Sequence, residues 1–199
     1  QARLGLPENP QAPLLVLVSR LTEQKGLDLM LHILQELLQE EPDLQLAVLG
    51  QGDERYEHDF GWFGHNFPQQ VAYRCEFSDD LAHNFYAAGD LLLMPSRFEP
   101  CGLAQLIAMR YGTLPVVREC GGLKDSVQPY NRFTGEGTGF GFANYNAHEL
   151  LFTLQNALTI YWEKPEIWQR LMGQAMQQDF SWQRSAHEYA EVYKELLDI

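Results

Sequence analysis

Apolar and polar positions follow two rhythms along this chain. Short, nearly uninterrupted apolar runs at residues 14–19, 44–49, 71–75, 90–94 and 114–117 have the length and composition of fully buried strands. Between them the spacing turns helical. Apolar residues at 27, 30, 31, 34 and 38 share one face of a helix that ends near Pro42. Ser78 is placed to cap a helix reaching Ala88, with Asp79 and Asp80 complementing the dipole of its first turn. Residues 103–111 carry a further helical pattern, and the aromatic, poorly periodic stretch 54–68 is also read as helical. Gly121-Gly122 reads as a turn, 131–139 as a Gly- and Thr-rich loop, and 140–143 as a short strand. Asn146 and Glu149 resemble a capping pair for a helix running to about Trp162. After Pro165 only helical patterns remain, the last with 186, 189, 190, 193, 196 and 197 on one face. The opening, Gln1 to Pro7, reads as the last turn of a helix closed by Gly5 and Pro7, so the chain is expected to be cut from a longer protein.

Strands alternating with helices, the strands almost wholly apolar, imply an α/β domain. Its expected form is Rossmann-like: a parallel sheet covered by helices on both faces, with a helical C-terminus. Ligands of such sheets sit at the carboxyl ends of the strands. Arg20, Gln51, the loop at Phe77, and Glu99 all fall at those ends, and this shared position is stronger evidence than any single motif.

A chain of 199 residues can bury a substantial core, and residues 1–199 are taken as one domain. The net charge of −13 argues against nucleic acid or an anionic membrane surface as a partner, so any polyanion site must be a local island of positive charge. There is no apolar run of about 18 residues and no signal-peptide layout, and a cytoplasmic setting is expected. Cys75, Cys101 and Cys120 are too few and too irregularly spaced for a disulfide framework or a zinc site. The six histidines show no metal-ligand spacing and are read as surface or helix residues, so neither metal nor cofactor is expected.

Ser96 to Leu103 carries the clearest chemistry. A buried strand delivers the carboxylate of Glu99, and Pro100 and Gly102 then lead into a helix whose first N–H groups are unpaired and attract anions. A phosphate at that helix start and a neutral polyhydroxylated group beside Glu99 is the economical reading. Arg20 and Lys25 flank the loop after the first strand. Each alone is an ordinary solvated cation, but together, in an acidic chain, they suit a diphosphate clamp. Gly50-Gln51-Gly52 lacks the third glycine of a dinucleotide fingerprint and is at least as well read as a tight turn. Phe77 and Phe98 are either core rings or cleft rings. Cys101, with no histidine near it in sequence, is ranked as a small packing residue above a nucleophile.

The segments Val18-Ser-Arg20-Leu-Thr-Glu-Gln-Lys25-Gly-Leu-Asp28, Pro95-Ser-Arg-Phe-Glu99-Pro-Cys-Gly-Leu103, Tyr111-Gly-Thr-Leu-Pro115 and Gly121-Gly-Leu-Lys-Asp125 resemble, in order, those of the bacterial glycogen synthase and plant starch synthase family. The resemblance spans almost the whole chain and the C-terminal half of such an enzyme. It implies half of a two-domain GT-B glycosyltransferase with its active site between the domains. It also implies transfer of glucose from ADP-glucose to the non-reducing end of an α-1,4-glucan, with retention and without a metal. Arg20 and Lys25 match the pair that neutralises the donor diphosphate, and Glu99 matches the carboxylate that holds the glucose hydroxyls. Gly102, Leu103 and Ala104 match the helix start that meets phosphate and sugar, with Gln51 and Cys101 carried as further substrate-binding positions. Phe77 stands where the family usually stacks a tyrosine on adenine, which keeps the π-face and loses the hydroxyl. Ala104 stands where threonine is frequent. Ile107 occupies the place of the second glutamate of related enzymes, so two-carboxylate chemistry lacks a partner in this segment and a front-side mechanism fits better. The resemblance also implies an N-terminal domain as partner, against which the helices from about 165 pack. Two rivals remain: a UDP-sugar-dependent retaining glycosyltransferase and a non-catalytic nucleotide-binding module.

Overall fold

The computed structural model describes residues 1–197. Six parallel strands form one sheet: β1 (Leu14–Val18), β2 (Gln45–Leu49), β3 (Val71–Arg74), β4 (Leu91–Met94), β5 (Leu114–Arg118) and β6 (Phe140–Phe142). Their spatial order is β3-β2-β1-β4-β5-β6. The chain therefore winds outward from β1 to β3, returns to the centre as β4, and winds outward the other way. The crevice between the carboxyl ends of β1 and β4 is the point where the winding reverses, which is where an open parallel sheet binds its ligands.

Helices α1 (Leu27–Glu40), α2 (Glu54–Asn66), α3 (Asp79–Ala88), α4 (Ala104–Tyr111), α5 (Gly121–Ser126), α6 (Ala147–Glu163), α7 (Pro165–Met176) and α8 (Trp182–Leu196) connect and cover the strands. α1 packs against α2 and α6, while α3, α4 and α7 form a second contiguous set, so both faces of the sheet are covered as expected. The strand register explains the apolar runs. Leu15, Val16 and Leu17 face Leu46, Ala47 and Val48 across the ladder, and all six are buried. Of the face that its spacing predicts, α1 buries Leu27, Met30, Leu34 and Leu38; Leu31 is only half-buried, and Leu29, Ile33 and Leu37 join the core instead. Each such side chain contributes about 1.5–3 kcal/mol of burial.

Local signals act as read in several places. The Ser78 side chain accepts from the Leu81 N–H, and Asn146 accepts from His148 and Glu149. Two readings are corrected, and one loop gains detail. Gly121-Gly122 opens α5 instead of making a free turn, because the carbonyls of Glu99 and Cys101 pass too close for any Cβ there. Glu149 does not reach back to Asn146; its carboxylate accepts instead from the Asn144 backbone and side-chain amides at 2.9 and 2.6 Å. The loop 20–25 contains a 3-10 turn, Glu23–Lys25, so Lys25 precedes α1 by a left-handed Gly26.

The helices after 165 divide. α7 buries Trp168, Leu171 and Ala175 against α4 and α6, whereas α8 buries no residue and exposes Trp182, Tyr189, Tyr193 and Leu196. No described helix is long and apolar enough to cross a membrane.

Candidate active site

The crevice between β1 and β4 is built by two loops that touch. The loop after β1 makes its 3-10 turn and then passes through Gly26 at φ 67°, where a Cβ would lie 2.0 Å from the Pro95 carbonyl oxygen. Only glycine permits that approach. The Arg97 N–H donates to the Gln24 carbonyl at 2.8 Å, and the Gln24 side chain donates to the Phe98 carbonyl at 3.2 Å. These bonds bring Lys25 and Glu99 together: Nζ stands 2.6 Å from Oε2. Ser96, buried, donates its hydroxyl to the same carboxylate oxygen at 3.2 Å. Glu99 is only 8% exposed, so its charge is matched by a cation and a hydroxyl, as a buried carboxylate requires.

Around this pair lies a cleft of about 180 Å³ lined by Ser19, Arg20, Lys25, Glu99 and the helix start Gly102, Leu103, Ala104. The amides of Gly102, Leu103 and Ala104 donate to no partner among the described residues. A larger hollow of about 680 Å³ adjoins it, lined by Gly50, Gln51, Gly52, Glu57, Cys75 and Phe77. Arg20 lines both and makes no ion pair with a described residue. The Phe77 ring, 81% exposed, is a cleft ring and not a core one; Phe98 is likewise exposed. Gly50 and Gly52 lie against the Ser19 and Leu21 carbonyls, so Gly-Gln-Gly serves as a close-approach device joining two loops.

Eight expected site residues thus line these two adjoining hollows: Arg20, Lys25, Gln51, Phe77, Glu99, Gly102, Leu103 and Ala104. Cys101 lies outside the lining of both hollows and is exposed, so the packing reading fails. Sequence reasoning missed the residues that hold the turn before Glu99. Arg118 donates Nε to the Ser96 carbonyl at 2.8 Å and Nη2 to the Arg97 carbonyl. Arg97 lies over the Tyr145 ring at 4.7 Å, and Tyr145 donates its hydroxyl to Asp28 at 2.5 Å. Burial, and then the bond to Asp28, push the Tyr145 hydroxyl up to about 12, so it stays a donor throughout the physiological range. No local motif marks Arg118 or Tyr145; the pairing of β4 with β5 brings Arg118 near, and the pairing of β5 with β6 brings in the loop that carries Tyr145. Among the described residues no cluster of three His, Cys, Asp or Glu side chains is placed to hold a metal ion.

A family model described as "Glycosyl transferases group 1" matches residues 2–170. This chain belongs to that family. Within the wider set of relatives, the glycogen synthase of Bacillus cereus (strain Q1) is 49% identical over 198 residues, covering all of this chain and 41% of the relative. That of Clostridium botulinum (strain Eklund 17B / Type B) is 52% identical over 196 residues, covering 98% of this chain and 40% of the relative. The chain thus spans about two fifths of the length of these curated glycosyltransferase relatives. Among solved structures, the catalytic domain of starch synthase IV from Arabidopsis thaliana, bound to ADP and acarbose, superposes with a TM-score of 0.86 at 34% identity. It is matched over 100% of this chain and 41% of its own. Sucrose-phosphate synthase from Thermosynechococcus elongatus shares the fold at a TM-score of 0.71 and 23% identity, over 99% of this chain and 48% of its own. The Rossmann-like half of a GT-B glycosyltransferase expected from sequence is the fold of this group 1 glycosyltransferase chain.

Proposed function

We propose that this chain is the donor-binding part of a bacterial glycogen synthase, which transfers glucose from ADP-glucose to the non-reducing end of an α-1,4-glucan with retention. The observation that carries this reading is the 2.6 Å Lys25–Glu99 pair set between a row of free amides and an exposed aromatic ring. A sugar nucleotide needs those three surfaces. Phe77 stacks on the base, while Arg20, Lys25 and the amides of Gly102–Ala104 take the diphosphate. Glu99 accepts from the sugar hydroxyls. Adenine as the base, and glucan as acceptor, are supported by the names of the relatives and by the ADP-bound starch synthase.

In the reaction so read, the bond between the anomeric carbon and the β-phosphate oxygen breaks, and its electron pair leaves with ADP. Arg20 and Lys25 neutralise the charge that accumulates there. The acceptor hydroxyl bonds to the anomeric carbon from the same face and passes its proton to the departing phosphate. Glu99 steadies the positive charge at the sugar. The exposed apolar stripe of α8 fits packing against an N-terminal domain that supplies the acceptor side. Free thiols on all three cysteines fit a cytoplasmic setting.

Calorimetric titration of this chain with ADP and UDP tests the reading. ADP binding stronger than UDP binding, and weakened about tenfold or more in Lys25→Ala, is expected. Equal affinity for the two nucleotides would instead favour the UDP-sugar rival.

A further inference from the structure

Helix α4 has a polar residue where an apolar one would pack. Gln105, in its first turn, is 0% exposed, while Leu103 two positions earlier is exposed. The Gln105 side chain folds back beneath the loop that carries Glu99. Its amide nitrogen lies 3.1 Å from three acceptors: the Cys101 carbonyl, the Gly102 carbonyl and the Ser126 hydroxyl. Two carbonyls require the NH₂ end to face them, which turns Oε1 away, and Oε1 has no partner among the described residues. An orphaned buried carbonyl loses its hydration without a replacement bond, a cost that a leucine or methionine there would avoid. The amide is therefore doing something that packing does not need.

We propose that Gln105 is a positioning residue for the amides that hold the donor diphosphate. The proposal rests on the donor reading above. A carbonyl oxygen turned toward the cleft would repel a phosphate; Gln105 draws those of Cys101 and Gly102 inward. Gly102, at φ 74°, is then followed by Leu103 at φ −117° and ψ −29°, and such alternation of hand turns successive N–H groups to one side. A Cβ at position 102 would stand 2.5 Å from Gln105 Oε1, so the side chain and the glycine are fitted to each other. The clamp continues into α5. Ser126, which Gln105 touches, donates to the Gly122 carbonyl at 2.6 Å, and the Gly122 N–H donates to the Glu99 carbonyl at 3.0 Å. One buried amide thus ties the amides at the helix start to the backbone of Glu99.

The test compares ADP with adenosine on this chain, by calorimetry and by NMR titration for the weaker ligand. Adenosine has the base and ribose but no diphosphate. Gln105→Met keeps the volume and removes the amide. Gln105→Leu, close in volume and also without the amide, serves if Gln105→Met does not fold. The expected result is an ADP affinity lowered about tenfold or more with adenosine affinity changed less than about twofold. ADP and adenosine weakened in parallel would make Gln105 a merely structural residue and overturn the proposal. ADP binding at the wild-type level in a folded variant would overturn it too, leaving the donor reading intact. A wild-type chain that binds ADP no better than adenosine would overturn both.

Discussion

Lys25 and Glu99 show how two charges can be kept at the bottom of a cleft. Each offsets the desolvation of the other, and removing one leaves its partner uncompensated in a poorly hydrated place. The two truncations have opposite consequences for an anion. On the proposed donor reading Lys25→Ala removes a phosphate donor, whereas Glu99→Gln frees Lys25 from its 2.6 Å partner. Glu99→Gln is expected to bind ADP at least as tightly as wild type by calorimetry, and a tenfold loss would show that Glu99 does not compete for Lys25. Asp90, at the opposite end of the sheet, is a second residue-scale test. Burial pushes its carboxyl from 3.8 up to about 6, against the bond from the Leu14 N–H at 2.8 Å. A raised acid pKa means that folding favours the protonated form. That contribution is complete below pH 3.8 and is lost as pH rises through about 6. At pH 7 the ionised group destabilises by up to about 3 kcal/mol. Asp90→Asn is therefore expected to raise the urea midpoint at pH 7 and to give no advantage near pH 4.

At the scale of elements, caps and apolar periods were legible because they depend on neighbours within four residues. Ser78 is the plainest case, and Ser78→Ala is expected to lower stability by about 1 kcal/mol in urea unfolding, with no change in m. The errors have a common cause. Gly121-Gly122 has the composition of a turn, yet the carbonyls of Glu99 and Cys101 lie where side chains would be, so the glycines admit a distant loop into the start of α5. Glu149 has capping-box spacing, but Asn144 offers it two donors closer at hand. In α4 no face could be assigned from the sequence. Leu103 is exposed, while Gln105 is buried with Ala108 and Met109. Spacing would have grouped 105, 108 and 109 on one face, but nothing local says that the face with the glutamine is the inner one.

For the whole molecule, α8 stands apart. Because it buries no residue, deleting the chain from residue 181 onward is expected to leave the thermal midpoint within a few degrees of wild type while reducing self-association. A large loss of stability would mean that α8 belongs to this body. The alternation of short apolar runs with helical spacing was enough to establish a covered parallel sheet, because strands buried on both faces need no polar alternation and leave that mark in any order of assembly. It also placed Arg20, Phe77 and Glu99 at strand ends, since a strand end is a local event. Which strand ends meet is a different matter. Lys25 and Glu99 are 74 residues apart, and they touch because the chain returns to lie β4 beside β1. That neighbouring, the closeness of two loops at Gly26, and the turning inward of Gln105 come from the packing of all layers at once, which no window of the sequence contains.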